Sequence, residues 1–136
     1  MSVEENKRIV RRFHTELWAG NRAVVDELLS AEFQSGMGRP EAIKSTVSWV
    51  LSVVPDCKLS VEEMIAEGDK VVMRWQMSGT NLGSDHAPDG TPMPPTGKPF
   101  AYTGITISQV ANGKIVSDIY ENSWTNMLIQ MGRSLS

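Results

Sequence analysis

The apolar residues of this chain change their period once, near Pro55, and that switch limits the possible folds more than any other feature. Before it, Ile9, Val10, Phe13 and Leu17 recur at three- and four-residue spacing, the stripe of an amphipathic helix. Ser2 and Glu5 form a capping box at its start, and Gly20 marks its end. Asn21 is placed to cap a second helix carrying Val24, Val25, Leu28 and Leu29. Pro40 suits the first turn of a third, whose face holds Ile43, Val47, Val50, Leu51 and Val54 before Pro55 stops it. Beyond Pro55 the side chains alternate. Leu59 and Val61, then Val71, Met73, Trp75 and Met77, predict two antiparallel strands around the turn Glu67-Gly68-Asp69. Residues 100–110 and 114–124 predict a second hairpin, and residues 125–131 a short closing helix. Helices followed by antiparallel strands make an α+β domain.

With 136 residues there is room for one domain, residues 1–136, and none for a separate cofactor module. The net charge is -3, and Lys7, Arg8, Arg11 and Arg12 share their helix with Glu4, Glu5 and Glu16. A solvated helical face follows, not a phosphate-binding patch, so no nucleic-acid partner is expected. No apolar stretch approaches a membrane span and the first residues carry no apolar signal region, which points to a cytoplasmic protein with no membrane partner. Cys57 stands alone, far in sequence from both His14 and His86, so neither an internal disulfide nor a metal site is expected, and no cofactor. Cys57 has no histidine near it in sequence to activate it. Between the hairpins, residues 81–98 hold Gly83, Gly90 and Gly97 with Pro88, Pro92, Pro94 and Pro95. This long loop is either a lid, in which case His86 would enter the site, or a surface insertion.

Which side chains share a face of the last hairpin depends on its turn. A two-residue Asn112-Gly113 turn would mix isoleucines with polar groups on each face. A three-residue loop, Ala111-Asn112-Gly113 with a bulge, pairs Val110 with Lys114 and separates them. Tyr102, Gly104, Thr106, Ser108, Val116, Asp118, Tyr120, Asn122 and Trp124 then occupy one face, and Ile105, Ile107, Ile115 and Ile119 the other. That segregation favours the three-residue loop. Either the isoleucines pack on the helices and the polar face meets water, or the polar face lines a pocket and the isoleucines meet another subunit. Three aromatics among the polar residues favour the pocket, lined by Tyr102, Thr106, Asn122, Trp124 and Trp75 and touched by His14.

Several short motifs then fall in a recognisable order: Glu5-Asn6-Lys7, Glu67-Gly68-Asp69-Lys70-Val71-Val72, Arg74-Trp75, Ser78-Gly79-Thr80, Pro94-Pro95-Thr96-Gly97-Lys98, Thr103-Gly104-Ile105 and Gly113-Lys114-Ile115-Val116. Together they resemble the SnoaL-like polyketide cyclases of the NTF2-like superfamily over nearly the whole chain. The resemblance implies a cone-shaped barrel, with N-terminal helices packed on a strongly curved, mostly antiparallel sheet around a deep pocket. It also implies a homodimer through the sheet, and cofactor-free cyclisation or isomerisation of a small apolar ligand. The His and Asp that such cyclases carry on their last two long strands would fall, counted from Gly113, on Thr106 and Tyr120; neither residue matches. The segment after Phe33, Gln34-Ser35-Gly36-Met37-Gly38, adds no titratable group.

Aldol chemistry needs a base beside a carbonyl and a donor for the oxyanion. Asp118, if a dry pocket raises its pKa from about 4, is the candidate base and Tyr120 the candidate donor. As i and i+2 of one strand they point the same way. His14, at the edge of the first helical stripe, is read as structural or exposed rather than catalytic, with ligand contact as its role in the pocket. Three functions remain open: an enzyme acting on a carbonyl compound, a pocket protein that binds a hydrophobic molecule unchanged, and a dimerisation scaffold whose cavity would fall below about 300 Å³.

Overall fold

A computed structural model describes residues 2–133. The first three helices are α1 (Val3–Trp18), α2 (Ala23–Leu28) and α3 (Pro40–Val53). Between α2 and α3 runs a strand, β1 (Leu29–Gln34), and beyond α3 come β2 (Lys58–Glu67), β3 (Lys70–Thr80), β4 (Asp85–His86), β5 (Pro92–Met93), β6 (Pro99–Ala111), β7 (Lys114–Asn122) and α4 (Trp124–Gln130). Ser2 caps α1 by accepting the Glu5 N–H, one of the two bonds of a capping box. Asn21 reaches the Ala23 N–H with its side-chain oxygen. Val10, Phe13 and Leu17 from α1, Val24, Val25 and Leu28 from α2, and Ile43 and Val47 from α3 bury their apolar sides on the sheet.

Five strands form one sheet in the order β1-β7-β6-β3-β2, with β1 parallel to β7 and the remaining neighbours antiparallel. Sequence reading missed β1 and put Leu29 in the helix before it. Its alternation is too short to register, since only Leu29 and Phe33 are buried, and its partner lies some eighty residues on. β4 and β5 form a separate two-stranded ribbon within residues 81–98. That segment is tied to the end of α3 by the Leu82 and Gly83 N–H groups on the Val53 carbonyl and by Trp49 Nε1 donating to Asp85 Oδ1, 3.0 Å. Among the described residues no helix is long and apolar enough to cross a membrane.

The turn of the last hairpin corrects the sequence reading. Asn112 and Gly113 both have positive φ, 53° and 78°, and Ala111 pairs with Lys114, so the turn has two residues and not three. Val110 then pairs with Ile115, but Gln109 pairs with Ser117, leaving Val116 as an extra residue in β7. This bulge reverses the alternation and restores the expected faces beyond it. Thr106 lies opposite Tyr120 and Ser108 opposite Asp118 on the helix-covered face, while Ile107 pairs with Ile119 on the other. Ile115, expected on that outer face, precedes the bulge and is fully buried instead. A second bulge, at Glu62 in β2, adds to the curvature.

The outer face keeps its isoleucines exposed. Ile65, Val72, Ile107 and Ile119 form one cross-strand row over four strands. The bulge carries a direct stability test. Ile115→Ala should cost about 2–5 kcal/mol in chemical denaturation, as for a core isoleucine. A loss within about 0.5 kcal/mol would mean that the side chain is turned to solvent after all.

Candidate active site

The concave side of the sheet and the helices above it enclose a cavity of about 490 Å³. Its wall includes all eight residues singled out from sequence: Asp118, Tyr120, Tyr102, Thr106, Asn122, Trp124, Trp75 and His14. Phe13 and Trp18 of α1, Phe33 of β1 and Ile43 of α3 supply apolar wall, and Ser35 and Met37 come from the turn after β1. None of the lining comes from residues 81–98, so neither this loop nor His86 reaches the site. Trp124, expected at the end of a strand, starts α4 at the cavity's margin and is half-exposed. Asn122 lines the wall while its Oδ1 caps the Trp124 N–H at 3.1 Å.

The central feature joins two elements that are far apart in sequence. His14 and Asp118 are both buried, and His14 Nε2 lies 3.1 Å from Asp118 Oδ2. The other ring nitrogen, Nδ1, donates to the Val10 carbonyl at 2.9 Å, one helical turn back, which fixes the ring's tautomer and orientation. Ser108, directly across from Asp118 in the ladder, donates to Oδ1 at 2.6 Å. Burial by itself disfavours an imidazolium, but the charge of Asp118 and the hydrogen bonds to Asp118 and Val10 outweigh it, so the His14 pKa is raised.

His14 is therefore hydrogen-bonded to a buried carboxylate in the cavity wall, a contact that the sequence reading does not contain. The signal was present. Val10, Phe13, His14 and Leu17 follow the same three- and four-residue spacing, which places His14 on the buried stripe. What the sequence does not show is the partner on β7. Two carried-over family positions, Thr106 and Tyr120, sit beside the pair rather than forming it.

Thr106 accepts the Trp75 indole N–H at 2.9 Å, which leaves its own hydroxyl proton available to a ligand oxygen. Trp75 can lie there because Gly104, its ladder partner, has no side chain: a Cβ at that position would come within 2.3 Å of the indole. Tyr120 is placed in a similar way, its hydroxyl resting against Gly36, where a Cβ would approach to 2.7 Å. The Trp75 and Tyr102 rings meet edge to face at 5.7 Å. Burial, with Cys57 and Tyr120 nearby, pushes the Tyr102 phenol up to about 12, so it stays a neutral donor. Burial, with Asp56 adding to it, likewise pushes the Cys57 thiol up to about 12, which removes it as a nucleophile. Among the described residues no three His, Cys, Asp or Glu side chains cluster as metal ligands would.

The ion pair links folding to pH. A histidine whose folded pKa is raised holds its proton more tightly than the unfolded chain does, so its stabilisation is complete below about 6.5 and is lost as pH rises through the folded value. Thermal unfolding midpoints should therefore fall as pH rises above about 6.5 through the folded value, and His14→Gln should flatten that decline. An equal decline in the variant would show that His14 is not its source.

Residues 8–127 match the SnoaL-like polyketide cyclase family. TsrD from Streptomyces laurentii is 20% identical and superposes with a TM-score of 0.83, covering 98% of this chain and 99% of its own. A proposed SnoaL-like polyketide cyclase from Jannaschia sp. is 21% identical, with a TM-score of 0.81 over 96% of this chain and 94% of that one. A protein with a ketosteroid isomerase-like fold from Catenulispora acidiphila, in complex with trimethylamine, is 19% identical, with a TM-score of 0.72 over 93% of each chain. No curated protein matches the sequence. At these identities the structures speak for the fold, and the family match covers most of the chain: this protein belongs to the SnoaL-like polyketide cyclase family.

Proposed function

We propose that this protein is a cofactor-independent enzyme of the cyclase or isomerase type, acting on a small, apolar, carbonyl-bearing compound. The observation that carries this reading is a buried His14–Asp118 pair in the wall of a largely aromatic cavity, with hydroxyl groups close by. A volume of about 490 Å³ is ample for a small organic ligand, which disfavours the scaffold alternative.

In this mechanism the Asp118 carboxylate takes a proton from the carbon next to a carbonyl. The C–H electron pair moves into the new double bond, and the carbonyl oxygen becomes an oxyanion. The hydroxyls of Tyr120 and Thr106 donate to that oxygen from a wall that is otherwise mostly apolar, which strengthens such bonds. The enolate carbon then attacks a second carbonyl of the same molecule, and Asp118 returns its proton to the resulting alkoxide while the His14 imidazolium, its two N–H groups held by Val10 and Asp118, keeps the charge of the pair. In an isomerisation the proton returns to a different carbon. Return of the proton leaves the Asp118 carboxylate beside the His14 imidazolium, 3.1 Å away, as at the start. Tyr102, Asn122, Trp75 and Trp124 shape the ligand's seat, and the chemistry asks for no metal or cofactor.

The exposed isoleucine row is proposed as the contact with a second copy of the chain. Ile119 is 68% exposed at one end of a cross-strand apolar row over four strands, an arrangement more typical of an interface than of solvated surface.

Asp118→Asn should lower turnover by roughly 10²- to 10⁴-fold, and Tyr120→Phe by about 10²-fold, with ligand affinity little changed. Measurement needs a carbonyl compound retained by the purified protein, identified by mass spectrometry and then assayed for conversion. Tight binding with no conversion by the wild type would favour the binding-protein reading. For assembly, Ile107→Asp should convert a dimer into a monomer in sedimentation equilibrium, and a wild type that sediments as a monomer would end that part of the proposal.

A further inference from the structure

The mechanism above uses the proton shared by His14 and Asp118 but leaves open what decides where it rests. Two arrangements are available to a buried pair of this kind. In one, His14 is an imidazolium and Asp118 a carboxylate; in the other, the proton sits on Oδ2 and both groups are neutral. Away from water the neutral arrangement avoids separating charge, so the ionic one needs further hydrogen bonds to hold it.

We propose that Ser108 is a positioning residue that keeps this proton on His14 by holding Asp118 ionised and correctly rotated. Ser108 is fully buried, lies directly across the ladder from Asp118 and donates to Oδ1 at 2.6 Å. It is absent from the cavity wall, so it touches no ligand and acts only through Asp118. A hydroxyl donated to an anionic oxygen is about twice as strong as one donated to a neutral acceptor, so the bond favours the carboxylate over the acid. Geometry works in the same direction. With Oδ1 held by Ser108, the carboxylate cannot turn freely, and Oδ2 is kept facing Nε2 of His14.

At the far side of the ring, the Val10 carbonyl accepts from Nδ1 and supports the same charge state. The other titratable groups lining the cavity are the phenols Tyr102 and Tyr120 and the carboxylate Glu121, and among the described residues no further salt bridge reaches either partner. The chain Ser108–Asp118–His14–Val10 thus runs from β6 through β7 into α1, with Asp118 accepting from both Ser108 and His14 and His14 donating at both ring nitrogens.

This inference rests on the reading of His14 and Asp118 as the acid–base unit, but its test needs no substrate. The chain has two histidines, so His86→Gln leaves His14 as the sole ring to observe in ¹⁵N-histidine-labelled protein. Long-range ¹H–¹⁵N correlation near neutral pH should show both His14 nitrogens protonated. Ser108→Ala should move Nε2 toward the unprotonated range while Nδ1 stays protonated, and Ser108→Thr, which keeps a hydroxyl, should restore the wild-type shift. Ser108→Cys, close in size and a weak donor, should fall between them and carries the test if the alanine variant does not fold. An unchanged Nε2 in folded Ser108→Ala or Ser108→Cys protein would overturn the proposal, as would a wild-type Nε2 that is already unprotonated. Absence of turnover with any carbonyl compound would leave these shifts unaffected and would count against the enzymatic reading alone.

Discussion

The contact between His14 and Asp118 is the constraint on which the site depends, because it fixes a helix to a strand through a pair that cannot be left half-made. Removing one partner of a buried pair strands the other without compensation, typically at a cost of about 3–5 kcal/mol. The two side chains are 104 residues apart, so the pair exists only when α1 lies across the concave face and β7 presents Asp118 inward. Both conditions are set elsewhere. The stripe of Val10, Phe13 and Leu17 seats α1 on the sheet, and the Val116 bulge decides which way Asp118 faces. The geometry of the pair is in this sense a consequence of apolar packing and strand parity.

Much of this was legible before any coordinates. Helical spacing gave α1 and α3, alternation gave β3 and the last hairpin, and turn residues gave the breaks between them. The inner face was read correctly from an incorrect turn, and the reason is instructive. A three-residue loop and a two-residue turn followed by one bulge put the residues beyond Val116 on the same sides, because each adds one unpaired residue to the hairpin. Only the residues between turn and bulge tell the two apart. Ile115 is the one that did, and it is in the core. A pattern of faces therefore constrains parity without locating the irregularity that creates it.

The misses share a different cause. β1 is held by a parallel neighbour far along the chain, and parallel pairing leaves no local turn to announce it. His14 lay on a visible stripe, but nothing near it in sequence distinguishes a histidine that fills space from one that meets a carboxylate. Ser108 and Thr106 were visible as inward-facing hydroxyls, but the partners that give them their roles, Asp118 and Trp75, depend on ladder register and on room above Gly104. Alternation tells which side a group faces. It does not tell which atom waits there.

The two positions that the family resemblance assigned to an acid–base pair, Thr106 and Tyr120, hold hydroxyl groups, and the pair is built one step away. Asp118 lies two residues before Tyr120 on β7, so its side chain enters the same face about 7 Å further along the strand. Its histidine comes from α1 rather than from the neighbouring strand. Such an exchange preserves the requirement and alters the supplier: a general base needs a carboxylate or imidazole at the cavity wall, and either a helix or a strand can deliver one. It also frees the vacated positions for donors. Thr106, tethered by Trp75, and Tyr120, resting on Gly36, sit where charge on a ligand oxygen would develop if Asp118 removes a proton nearby. Relative to the positions that the resemblance implies, the carboxylate, the imidazole and the hydroxyl groups are thus redistributed over one concave surface.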